Sequence, residues 1–240
     1  MEKGEAIEHN WVTKAIGNAQ KKVEGHNFDI RKHLLDYDDV ANEQRKFIYN
    51  KRNEFLNLEN RRIILNQIML EVFSDLLESH INLVRSEDYE INEILKRDFQ
   101  VEIDARNIIK NSEKKEEAID EFINNISEIY KNKIENLPDE IYLELTKEVF
   151  INIIDKSWIE HIQSMDYLRQ GIGLRSYAQK NPKQEYKREA FEMFAIMQNN
   201  VHYSFISLLF RLDYKISYAK SKSYNNTNSV HSSSGKNYRK

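Results

Sequence analysis

The sequence predicts an all-α fold: one long scaffold helix with packed amphipathic helices and an antiparallel helical hairpin, followed by a disordered tail. The chain of 240 residues contains only 6 glycines and 2 prolines, and 31 % of its residues are charged. This composition is typical of long helices with few turns and much solvated surface. Hydrophobic residues make up 40 % of the chain, which is enough for the core of one or two domains.

The stretch from Trp11 to Leu58 has the longest helical pattern and contains no proline. A stripe of residues spaced by three or four, or by sums of these, marks its expected inward face: Val12, Ile16, Ala19, Val23, Ile30, Leu34, Tyr37, Ala41, Ile48, Phe55 and Leu58. Asn27 and Gln44 interrupt the stripe, so we do not expect a perfect zipper. Two arrangements remain open, a homodimeric coiled coil and a spine for later helices of the same chain. The later amphipathic helices favour the spine.

The middle of the chain predicts shorter helices. Glu59 to Arg62 indicates a polar break, followed by a helix from Ile63 to Val84, by one or two brief helices between Arg85 and Asp104, and by an amphipathic helix from Asn111 to Asn136. We therefore divide the chain into a scaffold (1–59), a wing-like region (60–136), a two-helix finger (137–212) and a basic tail (213–240).

The finger consists of two long helical patterns joined by a glycine-containing turn. Pro138 starts a helix that runs to about Gln170, and Asn181 before Pro182 is typical of a cap at the start of the last helix. Gly171 and Gly173 permit a sharp reversal between them. The two helices should form an antiparallel hairpin with a structured tip.

Beyond Asp213 the chain is rich in Lys, Ser, Tyr and Asn, and from Tyr214 to Lys240 it holds six basic residues and no acid. Such a segment cannot offset its ordering entropy, so we expect it to be disordered. The chain contains no cysteine, which excludes disulfides and cysteine-based zinc sites and agrees with a cytosolic protein. We expect neither export nor membrane insertion, because no signal-peptide core or long apolar run is present.

The motifs point to binding rather than catalysis. The glycines never take the spacing of a phosphate-binding loop, so we expect no nucleotide hydrolysis by this chain. No two histidines lie four residues apart, so we predict no helical zinc site. Asp36, Asp38 and Asp39 are interpreted as a salt-bridged docking face rather than as acid catalysts. We predict no catalytic and no metal-binding residue.

The hairpin tip is the candidate contact site. Basic residues surround it, with Tyr177 and Tyr186 interleaved and Glu185 as the one acid between the first and last of them: Arg169, Arg175, Lys180, Lys183, Lys187 and Arg188. This pattern suits a nucleic-acid backbone, an unfolded polypeptide or an acidic partner. Trp158 lies within the apolar periodicity and is interpreted as a core or hairpin-anchoring residue.

Two groups of motifs resemble the C-terminal third of SecA, the bacterial preprotein translocase ATPase. The first group lies in the long helix and just before it: Gly4-Glu5-Ala6-Ile7-Glu8-His9, Asn27-Phe28-Asp29-Ile30-Arg31-Lys32 and Tyr37-Asp38-Asp39-Val40-Ala41-Asn42. The hairpin carries the stronger match, in Met165-Asp166-Tyr167-Leu168-Arg169-Gln170-Gly171-Ile172 and in the run from Leu174 to Glu189. The resemblance runs from about Gly4 to Leu212 and is weakest between Asn60 and Asn136.

The resemblance implies a helical scaffold, a helical wing and a two-helix finger of an ATP-driven motor that moves preproteins through SecYEG. The implied polypeptide-contacting residues are those of the finger loop: Gly171, Ile172, Gly173, Leu174, Arg175, Ser176 and Tyr177. The residues expected to pack finger against scaffold are Trp158, Met165, Leu168, Ile30 and Leu34. The family's motor domains have no counterpart here, so the chain looks like a C-terminal fragment. ATP and Mg²⁺ are implied only for those missing domains.

The resemblance also implies partners and a location. We expect SecYEG, unfolded preprotein and the motor domains as partners, with a homodimer open, no nucleic acid, and a peripheral position at the cytoplasmic face of the inner membrane. Family members commonly end in a cysteine-rich zinc module that engages SecB. Because Ser232 to Lys240 contains no cysteine, we expect neither zinc nor SecB binding, although a cationic tail suits an anionic membrane surface. A non-enzymatic coiled-coil scaffold and a nucleic-acid-binding hairpin are the alternatives.

Overall fold

The structure is a computed structural model that describes residues 10–81, 91–112, 114–174 and 181–214, with only the backbone of His33. Within these ranges the regular elements are all helical, which confirms the all-α class. The helices are α1 (Asn10–Leu56), α2 (Leu58–Ile81), α3 (Ile91–Ile94) continued by a π-helical turn (Leu95–Phe99), α4 (Ala105–Asn111), α5 (Lys115–Ile134), α6 (Asp139–Gly171) and α7 (Pro182–Arg211). The tail that was predicted to be disordered lies, beyond Tyr214, outside the described residues.

The predicted break between the first two helices was placed too late in the sequence. The helix α1 ends at Leu56 and α2 begins at Leu58, so Glu59 to Arg62 is helical rather than a polar break. Asn57 interrupts the two helices, and its side-chain Oδ1 accepts a hydrogen bond from the backbone N–H of Glu59 over 3.1 Å. An amide side chain that bonds to the backbone two residues on is a common turn device.

Arg61 explains why a charged sequence is tolerated at this corner. Its guanidinium is buried and donates hydrogen bonds to the backbone carbonyls of Phe55 (2.9 Å), Leu56 (2.9 Å) and Leu143 (2.8 Å). The last carbonyls of a helix lack partners within that helix, and a cation at this end also opposes the helix dipole. One side chain of α2 therefore closes the end of α1 and holds it to α6.

The chain divides into two compact units, Met1–Phe47 with His161–Phe194, and Ile48–Glu160 with Ala195–Lys240. In the first unit Met165, Ile172, Tyr186 and Ala190 form a buried cluster. Tyr37 and Val40 of α1 and Leu168 of α6 pack against it. The ring of Tyr37 meets that of Tyr186 edge-on, with centroids 4.7 Å apart, a favoured aromatic geometry.

The helices α6 and α7 run antiparallel in the first unit, as predicted. His161 is the first residue of α6 in this unit, and Phe194 is the last residue of α7 in it. Their ring centroids lie 5.5 Å apart. At the other end of the same pair, Ile172 shares the buried cluster with Tyr186.

The second unit has an aromatic core. Phe55 stacks on Phe150 at 4.1 Å and meets Phe205 edge-on at 5.5 Å. A second group packs around Phe73, whose ring contacts the rings of Phe99, Phe122 and Phe210. These rings come from α1, α2, α5, α6, α7 and the π-helical turn, so one core joins the short helices to the long ones.

Gln100 ends the π-helical turn in a left-handed conformation, with φ of 55°. The N–H groups of Gln100 and Val101 donate to the carbonyls of Lys96 and Leu95, which satisfies two otherwise free helix-end acceptors. The sequence predicted one or two brief helices here but not this turn, because glutamine carries no signal for a left-handed backbone. Among the described ranges, no helix combines the length and apolarity that a membrane span requires.

Candidate functional site: the helical hairpin

Two apolar residues of the described hairpin tip, Ile172 and Leu174, differ in their exposure to solvent. Ile172 and Leu174 belong to a single helical turn that follows α6. Ile172 is buried in the first unit's cluster, whereas the side chain of Leu174 is 70 % exposed. The sequence-predicted contact residues Arg175, Ser176 and Tyr177 lie outside the described residues. Of the described tip, Leu174 thus offers the apolar surface.

The returning helix α7 starts where its cap was predicted. The side-chain Oδ1 of Asn181 accepts a hydrogen bond from the N–H of Lys183 over 3.0 Å, and Pro182 takes the first helical position. An asparagine at this position satisfies one of the free N–H groups of the helix start. The cap fixes the residue at which the tip re-enters the hairpin.

Acids of α1 neutralise basic residues of the hairpin. Arg169 lies 3.7 Å from a carboxylate oxygen of Asp38 and 3.2 Å from one of Asp166, and Lys183 pairs with Asp36 at 2.5 Å. The predicted salt-bridged face of Asp36 and Asp38 therefore engages this chain's own hairpin. These pairs are partly exposed, so their contribution is to orientation more than to stability.

Arg188 is held within α7 itself. Its guanidinium contacts Glu185 at 3.0 Å, Glu189 at 3.6 Å and Glu192 at 2.8 Å, and the Glu185 and Glu192 bonds raise its pKa. Of the six basic residues that made the tip a nucleic-acid candidate, Arg169, Lys183 and Arg188 thus have carboxylate partners. Lys187 is exposed, and Arg175 and Lys180 lie outside the described residues. The described charges favour a neutral hairpin over a phosphate-binding one.

A buried polar triad joins α1 to both helices of the hairpin. The side-chain amide of Gln44 donates to the backbone carbonyl of Ala190 over 3.1 Å, and its Oε1 lies 2.9 Å from Nε2 of His161. Because the Ala190 carbonyl only accepts, the amide nitrogen must face it, and Oε1 must face His161. The imidazole therefore carries its proton on Nε2 and donates to Gln44.

The environment of His161 keeps it neutral near pH 7. Burial lowers the pKa of its imidazole below the ordinary value of 6.5. Burial also favours the neutral form of Tyr186 in the same unit, because it raises the pKa of the phenol. The junction is thus built from neutral hydrogen-bonding groups, with the ion pairs at its edge.

The predicted packing residues are not all buried. Met165 and Leu168 pack in the first unit, and Trp158 is half-buried in the second. Ile30 and Leu34 are 46 % and 48 % exposed, so the described part of the chain covers only about half of each side chain. The contacts of α1 described above begin at Asp36, and Ile30 and Leu34 lie up to two turns before them. The apolar stripe predicted an amphipathic helix correctly. It did not predict which part of that helix α6 and α7 cover.

Sequence analysis missed Gln44 and His161 as a pair. Gln44 was visible as a polar residue on an apolar stripe, which is the available signal of a buried hydrogen-bonding role. His161 gave no signal, because helix periodicity does not say which residue of α6 faces α1. In the part of the chain that the structure describes, no group of three or more metal-binding side chains lies together.

These features define a class of helical scaffold protein, in which a long helix supports an antiparallel hairpin through a buried polar junction. Comparison with known families agrees with this class. Residues 6–213 match the family model described as the SecA Wing and Scaffold domain. The chain belongs to this family, and it is therefore part of a SecA-type protein-transport system.

Proposed function

We propose that this chain is the scaffold, wing and finger portion of a SecA-type motor that moves preproteins across the cytoplasmic membrane through SecYEG. In this proposal the hairpin tip, from Gly171 to Tyr177, contacts the polypeptide in transit. The observation that carries it is the triad of Gln44, His161 and Ala190. Because Gln44 bonds to both helices of the hairpin at the same position along α1, a displacement of α1 moves both helices together.

The contacts around the triad suit transmission of movement. Tyr37 packs on Tyr186, and Asp36 and Asp38 pair with Lys183 and Arg169. Hydrogen bonds, ring packing and ion pairs thus act along about two turns of α1, from Asp36 to Gln44. A helix held at several levels moves its partners as a body rather than sliding past them, because packed interfaces deform little.

The exposed stripe at the start of α1 supports a further partner. Ile16, Val23 and Ile30 recur every seven residues and are each about half exposed. We propose that this face receives the ATP- and Mg²⁺-binding motor domains. We also propose, from the family membership, that the assembly works at the cytoplasmic face of the membrane. A homodimeric coiled coil is the second candidate, since the same seven-residue spacing suits it. A concentration-dependent dimer lost on Val23→Glu, without a translocation defect, would favour it.

The test of the proposed function is substitution of Tyr177 in a complete motor. Tyr177→Ala should slow translocation of a preprotein into SecYEG vesicles, whereas Tyr177→Phe should retain most of the rate because a large ring remains. Helix content by circular dichroism provides the folding control. Unchanged transport by folded Tyr177→Ala would remove this residue from the mechanism.

A further inference from the structure

A groove lies in the second unit between α2, α5 and the start of α6. Its volume is about 760 Å³. Apolar side chains lie along it, and amides and a hydroxyl interleave with them: Met69, Leu70, Ile123, Ile134, Leu137, Asn66, Asn124, Asn132 and Ser127. The size and the mixed lining are those of a binding cleft.

The chain leaves the described fold beside this groove. Tyr214, the last described residue, shares a hydrogen bond of 3.0 Å with Tyr130, and Tyr142 donates to Tyr130 over 3.3 Å. Tyr130 and Tyr142 both line the groove. Tyr214 lines a neighbouring cleft of about 640 Å³ that shares Asn132 and Leu137 with it.

The exit point is firmly held. The hydroxyl of Tyr214 donates to the carbonyl of Leu209 over 2.9 Å, and its ring is buried. Burial raises the pKa values of Tyr130, Tyr142 and Tyr214, so all three phenols stay protonated and keep their bonds across the physiological range. The buried side chain of Tyr214 therefore anchors the end of the described chain beside the groove.

The sequence after this point suits the groove. In an extended conformation Ile216, Tyr218 and Tyr224 lie on one face, because side chains alternate along a strand. Ten residues from 215 reach roughly 33 Å, which is more than the roughly 17 Å of α5, from Ile123 to Ile134, that lines the groove. Two acids, Glu135 and Asp139, and two cations, Arg62 and Lys131, line the groove, and Arg62 pairs with Asp139, so the fit of the segment rests on its apolar side chains rather than on charge.

We propose that the segment 215–224 of this chain, in contrast to the disorder expected for the tail as a whole, docks in the groove between α2 and α5. Ile216 and Tyr218 contact the apolar part of the lining, which includes the exposed side chain of Leu70. The asparagines of the lining bond to the backbone of the docked segment, which needs partners once it leaves water. This occupant requires no other protein and differs from the anionic membrane surface suggested for the same tail.

The absence of cysteine allows a direct test in the full chain. Ser127→Cys places a thiol in the groove, and Lys220→Cys places one on the same face of the tail segment as Ile216 and Tyr218. The control pair combines Lys220→Cys with Ser79→Cys, which lies in a different cleft of the same unit. Both thiols of each pair are tethered, so docking should raise the rate of intramolecular disulfide formation about tenfold for the groove pair over the control.

A second set of variants identifies the anchors. Ile216→Ser with Tyr218→Ser should remove the preference for the groove pair, whereas Ser221→Ala with Ser223→Ala, on the opposite face of the segment, should retain it. Circular dichroism checks that each variant is folded. Equal rates for the groove and control pairs would overturn the proposal. Disulfide-linked dimers in place of monomers would overturn docking within one chain and assign the groove to a second copy's tail.

Discussion

Nε2 of His161 lies 2.9 Å from Oε1 of Gln44, and this bond links α1 to α6 inside the first unit. The same amide donates to the Ala190 carbonyl of α7. One side chain of the long helix thus holds both arms of the hairpin. The arrangement makes the junction specific in register, since a shift of one residue along α1 would leave three polar groups without their partners.

Removing the amide should destabilise the fold. Gln44→Ala leaves the Nε2–H of His161 and the Ala190 carbonyl without these bonds, which should cost about 1 to 3 kcal/mol in the free energy of unfolding. Urea denaturation followed by circular dichroism measures the change. Glu43→Ala, at the exposed neighbouring position, is the matched control and should change stability by about 0.5 kcal/mol or less. Equal effects of the two variants would remove Gln44 from the junction.

Acid should weaken this junction through His161. Burial lowers the pKa of the folded imidazole, so below about pH 6.5 the unfolded chain takes up a proton that the folded chain does not. Stability should therefore be independent of this group above that pH, fall as the pH drops towards the lowered pKa, and level off below it. The loss attributable to His161 cannot exceed about 1.4 kcal/mol per pH unit.

The variant His161→Gln isolates this contribution. It keeps a hydrogen-bond donor but does not titrate, so its unfolding free energy should fall less than that of the wild type between pH 7.5 and pH 5. His202 in the second unit also has a pKa lowered by burial, so some acid sensitivity should remain. Parallel pH profiles for the two proteins would contradict the assignment.

Arg61 should be essential to the corner between α1 and α2. Arg61→Met leaves the carbonyls of Phe55, Leu56 and Leu143 without their charged donor and should cost about 2 to 3 kcal/mol. Arg62→Met is the matched control, because Arg62 forms an exposed ion pair with Asp139 that should contribute less than about 1 kcal/mol. Chemical denaturation of both variants separates the two roles.

Gln100 should be a position where glycine stabilises the protein. A left-handed backbone is disfavoured for residues with a β-carbon, so Gln100→Gly should raise the unfolding free energy by roughly 0.5 to 1 kcal/mol. Gln100→Val should lower it, because a β-branched side chain fits this conformation least well. A stabilising valine would contradict the backbone assignment.

The sequence predicted the long helices well because their signals are local. Proline, asparagine and apolar periodicity placed both ends of α7 within a few residues, and the same signals placed α6. The corner at Asn57 was missed because Arg61 looks solvent-exposed in the sequence, and only the fold shows the three carbonyls that satisfy it. Likewise periodicity marked Ile30 and Leu34 as apolar-face residues, but burial depends on which helices cover that face.

The most direct test of the proposed function is site-specific crosslinking from the fingertip. A photo-reactive residue at Tyr177, in this chain joined to its motor domains, should capture a preprotein stalled in SecYEG vesicles, and capture should depend on ATP. The same residue at Asp120, an exposed position of α5, serves as the control and should capture little. Folded protein that captures no preprotein from Tyr177, or captures it equally from Asp120, would contradict the account and leave a helical scaffold with a different partner.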